Sequence, residues 1–211
     1  DLVHGWTTCQ TNTLEPEEVE TKMDEIAKAN YKMIKQRRDD LVCVRLKEEL
    51  ESFKDNLPLL ALAADKALRE RHWEQIYGLL EAEFVPGETV ISVSGLQAAG
   101  VMDKYEGVET IVAAAVKENN ILKNLDKMET EWEGQDFRTV PFKTESTILG
   151  GTDDIQTILD DQIVKIQAMN AQPFMKPFAD RGKTWETTLA RLQEILDNWL
   201  KVQSVWMYLE P

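Results

Sequence analysis

A zinc site needs four ligands gathered round one ion, and the sequence supplies just two histidines and two cysteines, His4, His72, Cys9 and Cys43. Neither pair has the Cys-x-x-Cys or His-x(3–5)-His separation that presents two ligands from one turn or helix, so zinc is not expected. No base stands at a fixed spacing from a nucleophile either. His4 falls in an irregular start and His72 in a helix beside Trp73, and both are read as surface or packed residues. The nearest approach to a phosphate loop is Gly95-Leu-Gln-Ala-Ala-Gly100-Val101-Met102. Its glycines are correctly separated, but Val101 and Met102 replace the Lys that reaches phosphate and the Ser or Thr that holds magnesium. Two turn glycines around Leu96 are the expectation.

Carboxylate doublets occur at Asp39-Asp40, Asp153-Asp154 and Asp160-Asp161. Neighbours on a helix do not face each other, so a proton-sharing pair is not expected, and the first two doublets are read as segment ends. The sequence has no calcium-binding Asp-x-Asp-x-Asp-Gly loop and no Gly-x-Ser-x-Gly elbow. Six tryptophans could form a ligand cage, yet Trp73, Trp132, Trp185, Trp199 and Trp206 lie in helical segments, where core packing is the simpler reading. No catalytic residue, metal ligand or cofactor contact is therefore expected.

The 211 residues carry 24 basic and 38 acidic side chains, a formal charge of −14, with 43% hydrophobic residues. That balance is globular and not disordered. A net acidic chain is a poor match for nucleic acid, whose phosphates call for a basic face. The acidic surplus is spread along the chain with no charged tail, as solvated helix faces would produce. Cys9 and Cys43 form no close pair, which favours a reducing compartment. No apolar run reaches a membrane-span length and the first residues lack a signal-peptide plan. The absence of an initial Met leads us to expect a piece of a longer chain.

The elements that position these residues read as helices. The first strong one runs from about Glu15 to Arg38, with Pro16 in its first turn and Val19, Met23, Ile26 and Met33 or Ile34 at helical spacing. Glu15, Glu17 and Glu18 crowd its start and Lys32, Lys35, Arg37 and Arg38 its end, as the helix dipole favours. Leu46, Leu50, Phe53 and Leu57 mark a second helix, which Pro58 breaks. Two more carry Leu59 to Ala64 and then Leu68, Trp73, Ile76 and Leu80. Residues 84–105 lose the period and are read as a loop or a pair of short elements. A long helix follows to about Glu133, with Val108, Ile111, Ala115, Leu122, Leu125, Met128 and Trp132 on one face. Phe137 to Phe142 and Glu145 to Leu149 read as a β-hairpin. Thr152 or Asp153 caps the next helix, striped by Ile155, Leu159, Ile163, Ile166 and Met169. Pro173 and Pro177 bracket a turn around Phe174. The last helix bears the clearest pattern, Trp185, Leu189, Leu192, Leu196, Trp199, Gln203 and Trp206 in steps of four and three, a seam that needs a partner. The fold class expected is mainly α, an elongated multi-helix bundle with one small hairpin at about 137–149. Trp199 and Trp206, if fully buried in that seam, would each cost about 3–5 kcal/mol on truncation to Ala.

The non-catalytic residues form a further pattern. Leu57-Pro58 followed by Leu68-Arg69-Glu70-Arg71-His72-Trp73 and Ile76 resembles the opening of the linker that precedes the AAA+ ring of dynein heavy chains. Ala115-Val116-Lys117-Glu118 leading to Ile121, Leu125 and Trp132, then Leu159-Asp160-Asp161-Gln162 with Gln167 and Met169, resemble the next two linker helices. Pro173-Phe174, Lys176-Pro177-Phe178, Trp185-Glu186, Leu189, Trp199-Leu200, Gln203, Trp206 and Tyr208-Leu209-Glu210-Pro211 complete the series. The match is firm from about Leu46 to Pro211 and weaker over residues 1–45, and its Asp-Asp and Lys-Pro-Phe forms are closer to axonemal than cytoplasmic members.

The resemblance implies a mechanical role. In that family the linker arches over the AAA+ ring, and its swing couples ATP hydrolysis to microtubule-based movement. It implies, for residues 1–211, the tail-side half of that lever, with residues 1–45 the tail–linker junction and 46–211 the linker helices, ATP and magnesium bound by AAA+ modules elsewhere and no cofactor held here. The implied partners are the ring of the same heavy chain, the tail and its associated dynein subunits, and microtubules only through a stalk outside these residues; neither nucleic acid nor a membrane is implied. The implied location is the axoneme of a cilium or flagellum. A spectrin-like helical scaffold or adaptor is the alternative, but it gives no reason for the Arg-His-Trp and Trp-x-Tyr-Leu-Glu-Pro motifs. An enzyme using scattered carboxylates is a further class, and no spacing selects a pair for it.

Overall fold

The computed structural model describes residues 2–36, 40–143 and 146–210. The roles expected of Arg37, Arg38, Asp39, Glu145 and Pro211 lie outside the described residues. Among the described residues the chain is mainly α, with one two-stranded antiparallel sheet, as expected. It divides into two units, residues 1–116 and 117–211.

The first unit begins with α1 (Leu2–Thr8), where the sequence reading placed an irregular start. Seven residues seldom hold a helix by propensity alone; here Trp6 is buried with its ring 5.6 Å from that of Phe53 and tilted to it, so tertiary packing sets the conformation. The longer α2 (Pro16–Gln36) opens with Pro16, carries Glu17 and Glu18 in its first turn and Lys35 in its last, and buries Val19 and Met23. Its stripe ends on a half-buried Ile34 and not on Met33, which is exposed. Asn30 is also buried, and its amide donates to the Cys43 carbonyl at 2.9 Å, tying α2 to α3 (Leu41–Lys54). Asp40 caps α3 by accepting the Val42 N–H, the segment-end role expected of it.

Pro58 sits in the first turn of α4 (Leu57–Ala63), which buries Leu59 and Leu60 completely, and α5 (Glu70–Leu80) buries Trp73, Ile76 and Leu80. The aperiodic stretch contains α6 (Val93–Ala98) and a 3-10 turn at Val101–Lys104, whose Val93, Leu96 and Val101 complete the core. The helix α7 (Tyr105–Thr130) spans the division, with Val108, Val112 and Ala115 buried before it and Ile121, Leu125 and Met128 after.

In the second unit, β1 (Arg138–Phe142) and β2 (Ser146–Gly150) pair antiparallel with Arg138 opposite Gly150 and Phe142 opposite Ser146. Helix α8 (Asp153–Asn170) has acidic Asp153 and Asp154 in its first turn, but Thr152 makes no side-chain cap, because its backbone is already helical (φ −84, ψ −6). A 3-10 turn at Pro173–Phe178 reverses the chain into α9 (Ala179–Leu209). The first part of α9 buries Gly182, Leu189 and Leu196 against α8, with Trp185 and Leu192 half-buried. Trp199 and Trp206 contradict the buried-seam expectation, being 56% and 36% exposed. Two physical causes combine. An α-helix drifts about 20° per heptad from a 3.5 repeat, so the seam from Trp185 to Trp206 rotates off its partner; and α8, with 18 residues, flanks little more than half of the 31 in α9.

Truncation costs should follow burial and not residue type. Leu196→Ala is expected to lose about 2–5 kcal/mol, whereas Trp199→Ala should lose less than about 1 kcal/mol, a contrast that urea midpoints measure directly. Gly182→Ala would push a Cβ into the Met175 methyl and the Asn170 Oδ1, and an overpacked contact of this kind should cost about 1–3 kcal/mol in the same assay.

Candidate functional site

The residues singled out for chemistry are occupied with structure. His72 is 2% exposed, and its Nδ1 accepts the Arg69 backbone N–H at 3.0 Å, satisfying a donor left over at the start of α5. Gly95 is not a turn residue; it lies inside α6 and its N–H goes to the Ser92 Oγ at 3.1 Å. Gly100 takes a left-handed turn (φ 78) between α6 and the 3-10 turn. Asp160 and Asp161 point outward on α8. Among the described residues no group of three His, Cys, Asp or Glu is placed to hold a metal, and Cys9 and Cys43 are free thiols. Of the family-pattern residues, Pro58, Arg69 and Tyr208 are exposed, Arg71, Glu118, Trp132, Trp185, Gln203 and Glu210 are half-buried, and Trp73 is buried.

What the structure brings together is a set of polar clamps between helices. Gln162, 1% exposed, takes a stripe position of α8 in the series Ile155, Leu159, Gln162, Ile166, Met169. Its Oε1 accepts the Trp132 indole N–H at 2.8 Å, and its Nε2 donates to the Met128 carbonyl at 3.0 Å and the Glu131 Oε2 at 2.9 Å. Both amide hydrogens are used, so a polar group buried in apolar surroundings incurs little desolvation penalty. Periodicity had pointed to Ile163, which is only half-buried; the 4-3-4-3 spacing through Gln162 was the signal available. Nearby, Arg181 at the start of α9 donates to Asp126 at 2.7 Å and to Glu129 at 3.0 and 2.7 Å on α7. These bonds, to Glu129 first and then Asp126, hold its guanidinium above the ordinary arginine range. No spacing in the sequence announces that triad, since Arg181 lies on α9 and both carboxylates on α7.

The second unit carries a groove of about 710 Å³ between the hairpin and the last turns of α9. Thr147 and Ile148 form one wall and Ile195, Asn198, Trp199, Val202, Gln203 and Trp206 the other, with no charged side chain among them. Ile195, Trp199, Val202, Trp206 and Leu209 follow one another in steps of four and three and are all substantially exposed. At about 100° per residue this stripe is centred about a quarter-turn round α9 from the face that buries Leu196. It is a second apolar stripe, bordered on one side by the hairpin and otherwise open among the described residues.

The family described as "Dynein heavy chain, N-terminal region 2" matches residues 1–211. The chain belongs to the dynein heavy-chain family. It is 36% identical over 203 residues to dynein axonemal heavy chain 3 of Homo sapiens, covering 94% of this chain. It is 33% identical over 212 residues to dynein axonemal heavy chain 1 of Mus musculus, covering 98%, and 41% identical over 147 residues to dynein axonemal heavy chain 12 of Homo sapiens, covering 68%. The chain spans about 5% of the length of each of these relatives. Within this dynein region, several residues that carry the resemblance have structural places: His72 bonds the start of α5, Trp132 and Gln162 form a clamp, and Trp185, Trp199 and Trp206 lie along α9.

The Gln162 clamp is testable. Gln162→Leu strands the Met128 carbonyl and should cost about 1–3 kcal/mol in a urea titration. Gln162→Glu instead sets a second carboxylate beside Glu131. Its folded pKa would be raised, so that variant should be closest to the parent below the carboxylate range and lose stability as pH rises through it.

Proposed function

We propose that this chain is a tail-side part of a dynein lever, an element whose swing over an AAA+ ring couples ATP hydrolysis to movement along microtubules in an axoneme. The observation that carries the reading is the match of the dynein heavy-chain N-terminal region to all 211 residues. The axonemal names of the relatives support the location. The physics of the chain agrees with a lever. A force-transmitting element must resist bending within itself, and packed helices stitched by buried amides and ion pairs supply that stiffness. The partners proposed are the ring of the same heavy chain and the tail with its subunits; microtubules would be reached through another domain, consistent with the acidic charge of −14. ATP chemistry is assigned to other modules of the heavy chain, and no residue of this chain is given a role in it.

The test uses the whole heavy chain. Gly182→Val should leave ATP turnover within about twofold of the parent while slowing microtubule gliding by about tenfold or more, because a softened lever dissipates the stroke. Gliding unchanged despite a lowered melting temperature of the segment would overturn the reading. So would ATP turnover by the isolated 211 residues that is abolished by altering Gly95 or Gly100.

A further inference from the structure

The hairpin and the open seam of α9 meet at one side chain. Thr139 and Leu149 stand opposite each other in the ladder, and Leu149 spends neither its N–H nor its carbonyl on β1. Its N–H is donated to the Gln203 Oε1 at 2.7 Å, and its carbonyl accepts from the Gln203 Nε2 at 2.8 Å. The pair is therefore a non-hydrogen-bonded one, whose backbone groups face the outer edges of the sheet. The primary amide of Gln203 occupies the place of one peptide unit of a third strand. Pro141, opposite Thr147, fits the same alternation, since its missing N–H would have pointed outward and no ladder bond is lost.

Other contacts between the hairpin and α9 lie beside this one. Leu149 is the one buried residue among the described residues of the two strands, and a two-stranded hairpin alone is marginal in water. The further ties to the last turns of α9 are the Phe142 and Trp206 rings, 5.6 Å apart, and the Lys143 ammonium donating to the Glu210 carbonyl. At its two ends stand Gly134 (φ 81) and Gly151 (φ 68), each with open space where a Cβ would be. Both connections can thus change direction without a steric penalty.

We propose that the hairpin is a hinged flap forming one wall of the Ile195–Leu209 groove, latched against α9 by the Gln203 side-chain amide. Gln203 is a positioning residue in this device. Released, the flap exposes the outer edge of β2 and removes the Thr147 and Ile148 wall; latched, it presents a neutral, two-walled trough. The inference concerns motion inside residues 134–210 and stands apart from the lever reading, so either can fail alone.

Amide hydrogen exchange on the 211-residue chain tests it. The Leu149 N–H should exchange about tenfold to a hundredfold more slowly than the Thr147 N–H, which lies on the same edge without the amide partner. Gln203→Ala should erase that difference while the amides of Leu189 and Leu196 keep their protection. Gln203→Glu can accept the Leu149 N–H but, as a carboxylate, cannot donate to the carbonyl. Its Leu149 to Thr147 ratio should recover toward the parent value as pH falls through the carboxylate range, where the acid regains a hydrogen to donate. An unchanged Leu149 rate in Gln203→Ala overturns the latch. A loss shared equally by Leu149, Leu189 and Leu196 overturns the separate flap, and a ratio in Gln203→Glu that is flat with pH overturns the two-bond geometry.

Discussion

An apolar stripe on a helix must find another apolar surface if it is to leave water, and in residues 117–211 the surface available is shorter than the stripe that seeks it. The 18 residues of α8 meet the first part of the 31-residue α9 and then run out. Everything distinctive about this unit follows from the mismatch. Where the two helices overlap, Leu189 and Leu196 are buried and Gly182 lets the turn at Pro173–Phe178 close tightly. Beyond the overlap the small hairpin takes over one side of α9 and leaves another open.

Polar side chains do the specifying that apolar contact cannot. Apolar packing is largely indifferent to small rotations, whereas a buried amide is satisfied in one register only. Gln162 fixes α8 against the end of α7 with both ends of its amide bonded, Asn30 ties α2 to α3 through its Nδ2, and the half-buried Gln203 ties the hairpin to α9. Each is an Asn or Gln and therefore uncharged, so none brings the desolvation penalty of a buried ion. The ion cluster of Arg181 with Asp126 and Glu129 stays partly exposed, where solvent screens it. For an element proposed to carry force, register-fixing contacts matter more than total burial.

Much of this fold was legible in the residues. Helix positions followed from apolar spacing and from Pro16, Asp40 and Pro58 at helix starts, the hairpin from Thr, Val, Ile and Phe between turn residues. The misplacements have physical causes. The α1 segment lacks a periodic stripe and is held by tertiary packing, chiefly the contact of Trp6 with Phe53 some 47 positions away, which no local pattern encodes. Thr152 is a good capping residue by type but takes a helical backbone, and the choice between it and its neighbours is made by packing. Gln162 was visible as part of a family pattern, while its role as a clamp needed the end of α7 beside it.

By itself the sequence determined what is local or summed along the chain: the mainly helical class, the hairpin, the absence of any spacing fit for zinc or phosphate, the acidic surface and, through ordered motifs, membership of the dynein heavy-chain family. Those properties need only near neighbours or composition. The tertiary structure alone decided which apolar positions are used. Trp199 and Trp206 share their seam spacing with Leu189 and Leu196, yet the former pair faces water and the latter does not. Spacing places side chains on one face of a helix; burial depends on whether another element is long enough to cover it.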